Sequence, residues 1–193
     1  MTRLSVLLAL TLFAAVPNRG PAAKFDVWGT TDANGKTVAN AVVWIDAPAS
    51  TRPSPARPVV LDQRNVQFVP QVLAVQVGTK VSFPNNDRVF HNVFSFHESN
   101  RFDLGLYPVG MVKEVPFDRP GLSRVYCNIH PQMAAYVMVV DTPYFAVSDA
   151  AGRFTISAVP AGTHRYHAWY PGGTLLTHSL TVAADLPLEV RWK

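Results

Sequence analysis

Proline and glycine interrupt this chain too often for a long helix to form. The 193 residues include 16 prolines and 11 glycines, and a proline inside a helix removes a backbone donor and clashes with the preceding turn. The runs between these breaks are short and lack the period of about 3.6 residues that marks an amphipathic helix. Many short strands separated by turns containing Gly or Pro are typical of a β-sandwich or barrel. The sequence therefore predicts an all-β protein.

The predicted strands follow one another closely along the chain. A hairpin turn is expected at Asp32–Gly35, because Asn-Gly between β-rich runs is a hairpin signal. Residues 97–121 form a longer segment of mixed character. Strands are predicted at Phe25–Thr30, Ala41–Ile45, Val59–Leu61, Val66–Val69, Val72–Val77, Lys80–Phe83, Phe90–Phe96, Leu122–Tyr126 and Ala134–Val140.

The first residues have the pattern of an export signal. A short basic start at Met1–Arg3 precedes an apolar run over Leu4–Ala15, which is too short to span a bilayer. Small residues follow, so cleavage is expected between Ala15 and Ala23. The sequence predicts a signal peptide over residues 1–23, a periplasmic location and no membrane span.

The charge balance gives little reason to expect a highly charged partner. The chain has 17 basic and 13 acidic side chains, a formal net charge of +4, and two of the basic residues, Arg3 and Arg19, lie in the predicted leader. Acidic and basic residues balance within 58–141. No basic patch for nucleic acid is evident, and partner choice is expected to depend on shape and apolar contact.

The strongest functional signal is a short loop that contains the only cysteine of the chain. Cys127 is followed by His130 and Met133 at intervals of three residues, and His91 lies upstream before an apolar run. Two histidines, a cysteine and a weak axial methionine are the ligands of a blue copper site. A lone cysteine or methionine is more often a core side chain, but all four ligands occur here in the right order. The sequence predicts one type 1 copper ion.

Each predicted ligand has its own role. Cys127 would bind as the thiolate, His91 and His130 would complete a trigonal plane, and Met133 would lie axially at long range and tune the reduction potential. This ligand set leaves no open position for a substrate. The predicted function is therefore one-electron transfer and not enzymatic catalysis.

The ligand loop CNIHPQM resembles that of the plastocyanin/amicyanin group of cupredoxins. The wider stretch Gln63–Asp141 is similar to cupredoxin-type periplasmic proteins of methylamine utilisation. The resemblance implies a Greek-key β-sandwich over 58–141 and a redox partner such as a periplasmic dehydrogenase or a c-type cytochrome. It also implies that Asn92 ties the two ligand loops together, although Asn128 stands where many members have Thr.

Both flanks resemble parts of a second, smaller module. The stretches 26–48 and 148–173 are similar to the beginning and end of a carboxypeptidase-regulatory-like, or transthyretin-like, β-sandwich. The prediction is a discontinuous domain of residues 24–48 plus 142–193, a Pro-rich linker over 49–57 and a copper domain over 58–141 that is inserted in, or packed on, the second sandwich. The alternative is that the flanks add strands to the cupredoxin sheets.

Several other classes of protein are disfavoured by the residues themselves. A multicopper oxidase or nitrite reductase would need a histidine next to the cysteine, but Tyr126 and Asn128 flank Cys127. A binuclear copper centre needs two cysteines, and a zinc peptidase needs the missing His-x-x-Glu pattern. One alternative stays open: a module that binds protein or glycan, with copper for storage or structure. Trp28, Trp44 and Trp169 are expected in the sandwich core.

Overall fold

The computed structural model describes residues 22–48, 58–97 and 99–193, and within these ranges every regular element is a β-strand. The predicted all-β fold is confirmed. The described residues form no helix that is long and apolar enough to cross a membrane. The predicted linker over 49–57, and all of the predicted leader except Ala22 and Ala23, lie outside the described residues. The strands are β1 Lys24–Ala33, β2 Lys36–Thr37, β3 Val42–Asp46, β4 Val59–Val60, β5 Asp62–Arg64, β6 Gln67–Val69, β7 Val72–Gln76, β8 Thr79–Pro84, β9 His91–Ser95, β10 Phe102–Tyr107, β11 Val112–Phe117, β12 Gly121–Tyr126, β13 Ala134–Val140, β14 Phe145–Val147, β15 Arg153–Pro160, β16 Gly162–Trp169, β17 Leu176–Val182 and β18 Leu186–Trp192.

The middle of the chain forms two sheets that pack on each other. A five-stranded sheet has the order β10-β9-β12-β13-β7, and a three-stranded sheet has the order β11-β8-β4. Their inner faces share one hydrophobic cluster, which includes Val93, Val125 and Val137 from the first sheet and Phe83 and Phe117 from the second. Burial of apolar side chains between two sheets is what holds a β-sandwich together.

Strands from the two ends of the chain build the remaining two large sheets. In one, β1 lies between β15 and β18 and also pairs with β2; in the other the order is β14-β3-β16-β17. Val27 and Ile45 from the first flank share a buried cluster with Ile156, Val182 and Val190 from the second flank. Strands of residues 24–46 therefore pair with strands of residues 145–192. The predicted domain boundaries stay a prediction.

Strand β13 is buried on both faces. Ala135, Val137 and Val139 point into the sandwich core, whereas Met138 and Val140 belong to a third cluster, with Val42, Val72 and Trp169. This cluster covers part of the outer face of the five-stranded sheet with side chains from β3 and β16. A strand that is covered on both sides has a nearly continuous apolar run, as β13 does.

The predicted turn at Asn34–Gly35 is present, but the extents of the strands differ from the prediction in two places. Asn34 and Gly35 connect β1 to β2 with φ values of 52° and 77°, which is the left-handed pair that a tight two-residue hairpin needs. Strand β1 continues to Ala33, however, and the segment 97–121 contains two full strands, β10 and β11.

The expectation for Trp28 was wrong. It is 50% exposed, because its neighbour Val27 takes the inward face of β1 and successive residues of a strand point to opposite faces. Trp169 is buried and Trp44 is partly buried, and both contact the third cluster.

Candidate metal centre

The strands deliver the predicted ligands to one end of the five-stranded sheet. His91 is the first residue of β9, and Cys127 directly follows the last residue of β12. Because β9 and β12 run antiparallel, the start of β9 and the end of β12 lie at the same end of the sheet. The loop then returns at once, since β13 begins directly after Met133.

Backbone hydrogen bonds close the ligand loop tightly. The Met133 N–H donates to the His130 carbonyl at 2.9 Å, and the Cys127 N–H donates to the Met133 carbonyl at 3.3 Å. The six residue pairs between β12 and β13 hold both ends of the loop. The loop thus has little freedom to change the positions of its side chains.

Three of the four predicted ligand side chains converge. The Cys127 Sγ atom lies 3.9 Å from His91 Nδ1 and 3.8 Å from His130 Nδ1, and the two Nδ1 atoms are 3.0 Å apart. Metal bonds of about 2.0–2.3 Å to nitrogen and sulfur place neighbouring ligand atoms roughly 3–4 Å from each other. The donor atoms and their spacing therefore fit a single borderline or soft metal ion.

Met133, the fourth predicted ligand, lies inside the core. Its side chain is 1% exposed and belongs to the same hydrophobic cluster as Cys127, which is 4% exposed. A thioether carries no charge, so burial in this cluster is what fixes the position of the Met133 side chain. Its axial role stays a prediction.

The two histidines differ in exposure. His91 is completely buried, whereas His130 is only partly buried. His130 is therefore the more accessible of the two predicted imidazole ligands. Its ring faces the ring of His91 edge-on, with centroids 4.8 Å apart.

A buried carboxylate that the sequence analysis missed orients His91. The Asp87 Oδ2 atom lies 2.9 Å from His91 Nε2, so that nitrogen carries the proton and Nδ1 is left free to bind a metal. Burial alone would raise the pKa of Asp87, but hydrogen bonds from the Val66 and Arg88 N–H groups and from His91 outweigh it and lower the pKa to about 2. A carboxylate four residues before a predicted histidine ligand was the available signal.

The two ligand loops are tied together through a side chain. The Asn128 N–H donates to the Asn92 Oδ1 atom at 2.8 Å. Only the backbone of residue 128 takes part, so the presence of Asn instead of Thr at that position leaves the link intact. The implied role of Asn92 in joining the loops is observed in this form.

Asn85 connects the loop before β9 to the last residue of β10. Its side chain is fully buried; the Nδ2 atom donates to the Val89 and Tyr107 carbonyls at 2.9 Å and 3.2 Å, and Oδ1 accepts from the Asp87 N–H. These bonds fix the segment that carries Asp87 and leads into His91. No sequence pattern predicted a role for Asn85.

Exposed apolar side chains surround this end of the sandwich. They lie on the loop before β9, on the ligand loop and on the turn between β10 and β11, and are Val89, Phe90, Ile129, Val109 and Met111, each 42–52% exposed. We call this set the apolar rim. Singly exposed apolar residues are common, but a group from three neighbouring loops is typical of an interaction surface.

The other histidines lie away from this centre. His97 is exposed, and its neighbour Glu98 is outside the described residues. His164 and His167 lie on β16 and have separate partners, the Pro160 carbonyl for the first and Asp46 for the second. In the described part of the chain, the group formed by His91, Cys127 and His130 is the single cluster of three potential metal ligands.

No protein-family model matches the sequence, and no curated protein does so. Solved structures that resemble it include a purple cupredoxin from Nitrosopumilus maritimus, with 26% identity and a TM-score of 0.37 over 42% of this chain and 96% of that one. A reduced amicyanin variant has 21% identity and a TM-score of 0.41 over 51% and 98%.

A copper-containing nitrite reductase from Thermus scotoductus SA-01 has 23% identity and a TM-score of 0.43 over 50% of this chain, but the shared part is only 25% of that protein. The likeness of the flanks to a transthyretin-like module stays a prediction. The chain is thus similar to cupredoxins over about half its length, at low identity, and the assignment of the site rests on the geometry of its own residues.

Proposed function

We propose that this protein binds one type 1 copper ion through His91, Cys127 and His130, with Met133 as a weak axial ligand, and carries single electrons between protein partners. The observation that supports this is the convergence of one thiol and two imidazole Nδ1 atoms, all within 4.8 Å of one another. A thiolate with two imidazoles is a ligand set that suits copper. Copper bound there would supply the one-electron couple.

The residues around the ligands would keep the site rigid and dry. Asp87 holds the ring of His91, and the Asn92–Asn128 link holds the ligand loop against β9. Cys127 and Met133 are almost completely buried. A ligand set that is held in one geometry reorganises little between two oxidation states, as outer-sphere electron transfer requires, and the predicted set leaves no position for a substrate.

The exposed edge of His130 would be the electron port. His91 is completely buried and His130 is not, so a partner can approach the site through His130. The apolar rim surrounds this end, and such a surface favours contact with another protein through shape and apolar area. We infer a redox partner of the dehydrogenase or c-type cytochrome class, met in the periplasm after export through the leader.

The spectrum of the copper-loaded protein tests this proposal. The oxidised protein is expected to be intensely blue, because a short bond between copper and a thiolate gives strong charge transfer. Cys127→Ser replaces the sulfur with a hard oxygen and should abolish the visible band. Met133→Leu should keep the band and raise the reduction potential, whereas Met138→Leu, a buried methionine outside the ligand loop, should leave the potential unchanged.

Two results would contradict the proposal. One is a Cys127→Ser protein that stays blue; the other is a Cu(II) protein without thiolate charge transfer. A colourless chain that never binds Cu(II) would instead favour the alternative, a β-sandwich module that binds protein or glycan.

A further inference from the structure

A cleft of about 330 Å³ lies where the outer face of the five-stranded sheet meets β3 and β16. Trp44 and Trp169 line it from the flank strands, and Leu122 and Met138 line it from β12 and β13. Its size is within the range of sites that bind small molecules, which are mostly apolar with a few polar groups. This cleft is separate from the candidate metal centre, because none of the predicted copper ligands lines it.

The aromatic wall of the cleft is held in place. The ring of Trp44 stacks on His167, with centroids 5.0 Å apart and planes at 19°. His167 is in turn held by Asp46 and Thr177, each at 2.9 Å. Trp169 is buried and packs against Tyr136 at 5.3 Å. Two fixed indole rings therefore form part of the lining, and the face of an indole ring attracts cations more strongly than any other side-chain ring.

The charged residues that line the cleft are both acidic. They are Asp46 and Asp141, and no Lys or Arg belongs to the lining. Asp46 already shares its charge with Arg165, at 3.6 Å, and with His167. The Asp141 carboxylate is exposed and has no hydrogen-bond or ion-pair partner among the residues that the structure describes. The cleft therefore combines apolar and aromatic walls with one unshared negative charge.

We propose that this cleft binds a small organic cation, an ammonium group with apolar substituents. The indole rings and the Asp141 carboxylate would attract the cationic head, and Leu122 and Met138 would contact the apolar part. An anion would be repelled by the unshared charge of Asp141. A bare Ca²⁺ or Mg²⁺ ion is a poor fit, because such ions bind through oxygen ligands and most of this lining is apolar.

The test titrates the full chain with choline and, separately, with its neutral isostere 3,3-dimethylbutan-1-ol. Calorimetry measures the affinity of each probe, and the indole N–H resonances of Trp44 and Trp169 report whether the probe binds in the cleft. Choline is expected to bind about five- to tenfold more tightly than the isostere, since only choline gains the cation–π and carboxylate interactions. Metal-free and copper-loaded protein should give the same result, because the cleft contains no predicted copper ligand.

Two variants separate charge from shape. Asp141→Asn, at an exposed position that should not affect folding, is expected to weaken choline binding severalfold and to leave binding of the isostere unchanged. Trp44→Leu should reduce the preference for choline while keeping an apolar wall. Glu114→Gln removes a carboxylate on β11, outside the cleft, and should leave the affinities for both probes unchanged. Equal affinity for the two probes, failure of choline to shift the indole resonances, or unchanged choline binding in Asp141→Asn would overturn the proposal.

Discussion

At the scale of single residues, Asp87 links the candidate metal centre to a neighbouring hairpin. Its carboxylate accepts from His91 and also from the backbone N–H of Val66, at 2.6 Å. Val66 lies in the turn between β5 and β6 with a φ of 57°, a left-handed conformation that is unfavourable for a β-branched residue. One buried carboxylate thus positions a predicted ligand and holds a strained turn.

We expect Asp87→Asn to destabilise the metal-free protein in a way that depends on pH. The pKa of Asp87 is lowered from 3.8 to about 2 in the folded protein, so its stabilising effect is complete above the unfolded value and is lost as the pH falls through the folded value. The variant should lose about 1–3 kcal/mol at neutral pH, and its deficit should shrink between about pH 4 and pH 2.

Urea unfolding of the wild type and the variant across this pH range measures the effect. Asp118→Asn, at an exposed carboxylate, is the control and should show no such trend. A deficit for Asp87→Asn that stays constant from neutral to acidic pH would show that the charge of Asp87 does not stabilise the fold.

At the scale of elements, β1 is the central strand of its sheet. It pairs antiparallel with β15 and parallel with β18, and Gly29 lies opposite Leu188 in the second pairing. A Cβ atom at position 29 would overlap the Leu188 carbonyl group. The absence of a side chain at Gly29 therefore allows β18 to pair closely with β1.

Gly29→Ala is expected to lower the free energy of unfolding by roughly 2–4 kcal/mol, because the new methyl group would push β18 away from β1. Gly35→Ala is the matched control: a Cβ there would meet no atom within 4 Å, and only its φ of 77° opposes the change. Its cost should be about 1 kcal/mol. Equal losses in the two variants, measured by denaturant unfolding, would contradict close packing at Gly29.

At the scale of the whole molecule, residues from both flanks depend on each other for their sheets. Both β1 and β3 are interior strands, and their neighbours β14, β15, β16 and β18 all come from residues 145–192. The third cluster then attaches this part to the outer face of the five-stranded sheet. Removing the first flank would therefore leave unpaired edges and exposed apolar faces in the second.

Deleting residues 24–48 is accordingly expected to unfold residues 142–193. Amide hydrogen exchange should show loss of protection across β15 to β18 and retention in β9, β12 and β13. The excised segment 58–141 is the companion test: it contains all four predicted ligands and a complete inner cluster, so it should fold and bind copper with reduced stability. Full protection of 142–193 in the deletion variant would refute the discontinuous domain.

Sequence patterns alone determined the β class, the Asn34–Gly35 turn and the four predicted ligands, because short strands, left-handed turns and metal-binding side chains depend on local chemistry. The tertiary structure decided which distant residues meet. Asp87 lies only four residues before His91, but it also accepts from Val66 in the turn between β5 and β6. Asn85 and Asn92 likewise bond to segments distant in the sequence, and no local pattern states where a buried side chain finds a distant partner.

The same distinction explains the remaining differences. The exposure of Trp28 depends on which face of β1 packs inward. The apolar run of β13 is compatible with any buried strand, and only the fold places β3 and β16 over its second face. Ligand types and turn residues are properties of single positions. The burial of a side chain, its distant hydrogen-bond partners and the cleft between the five-stranded sheet and strands β3 and β16 depend on segments far apart in the chain. Only folding brings those segments together.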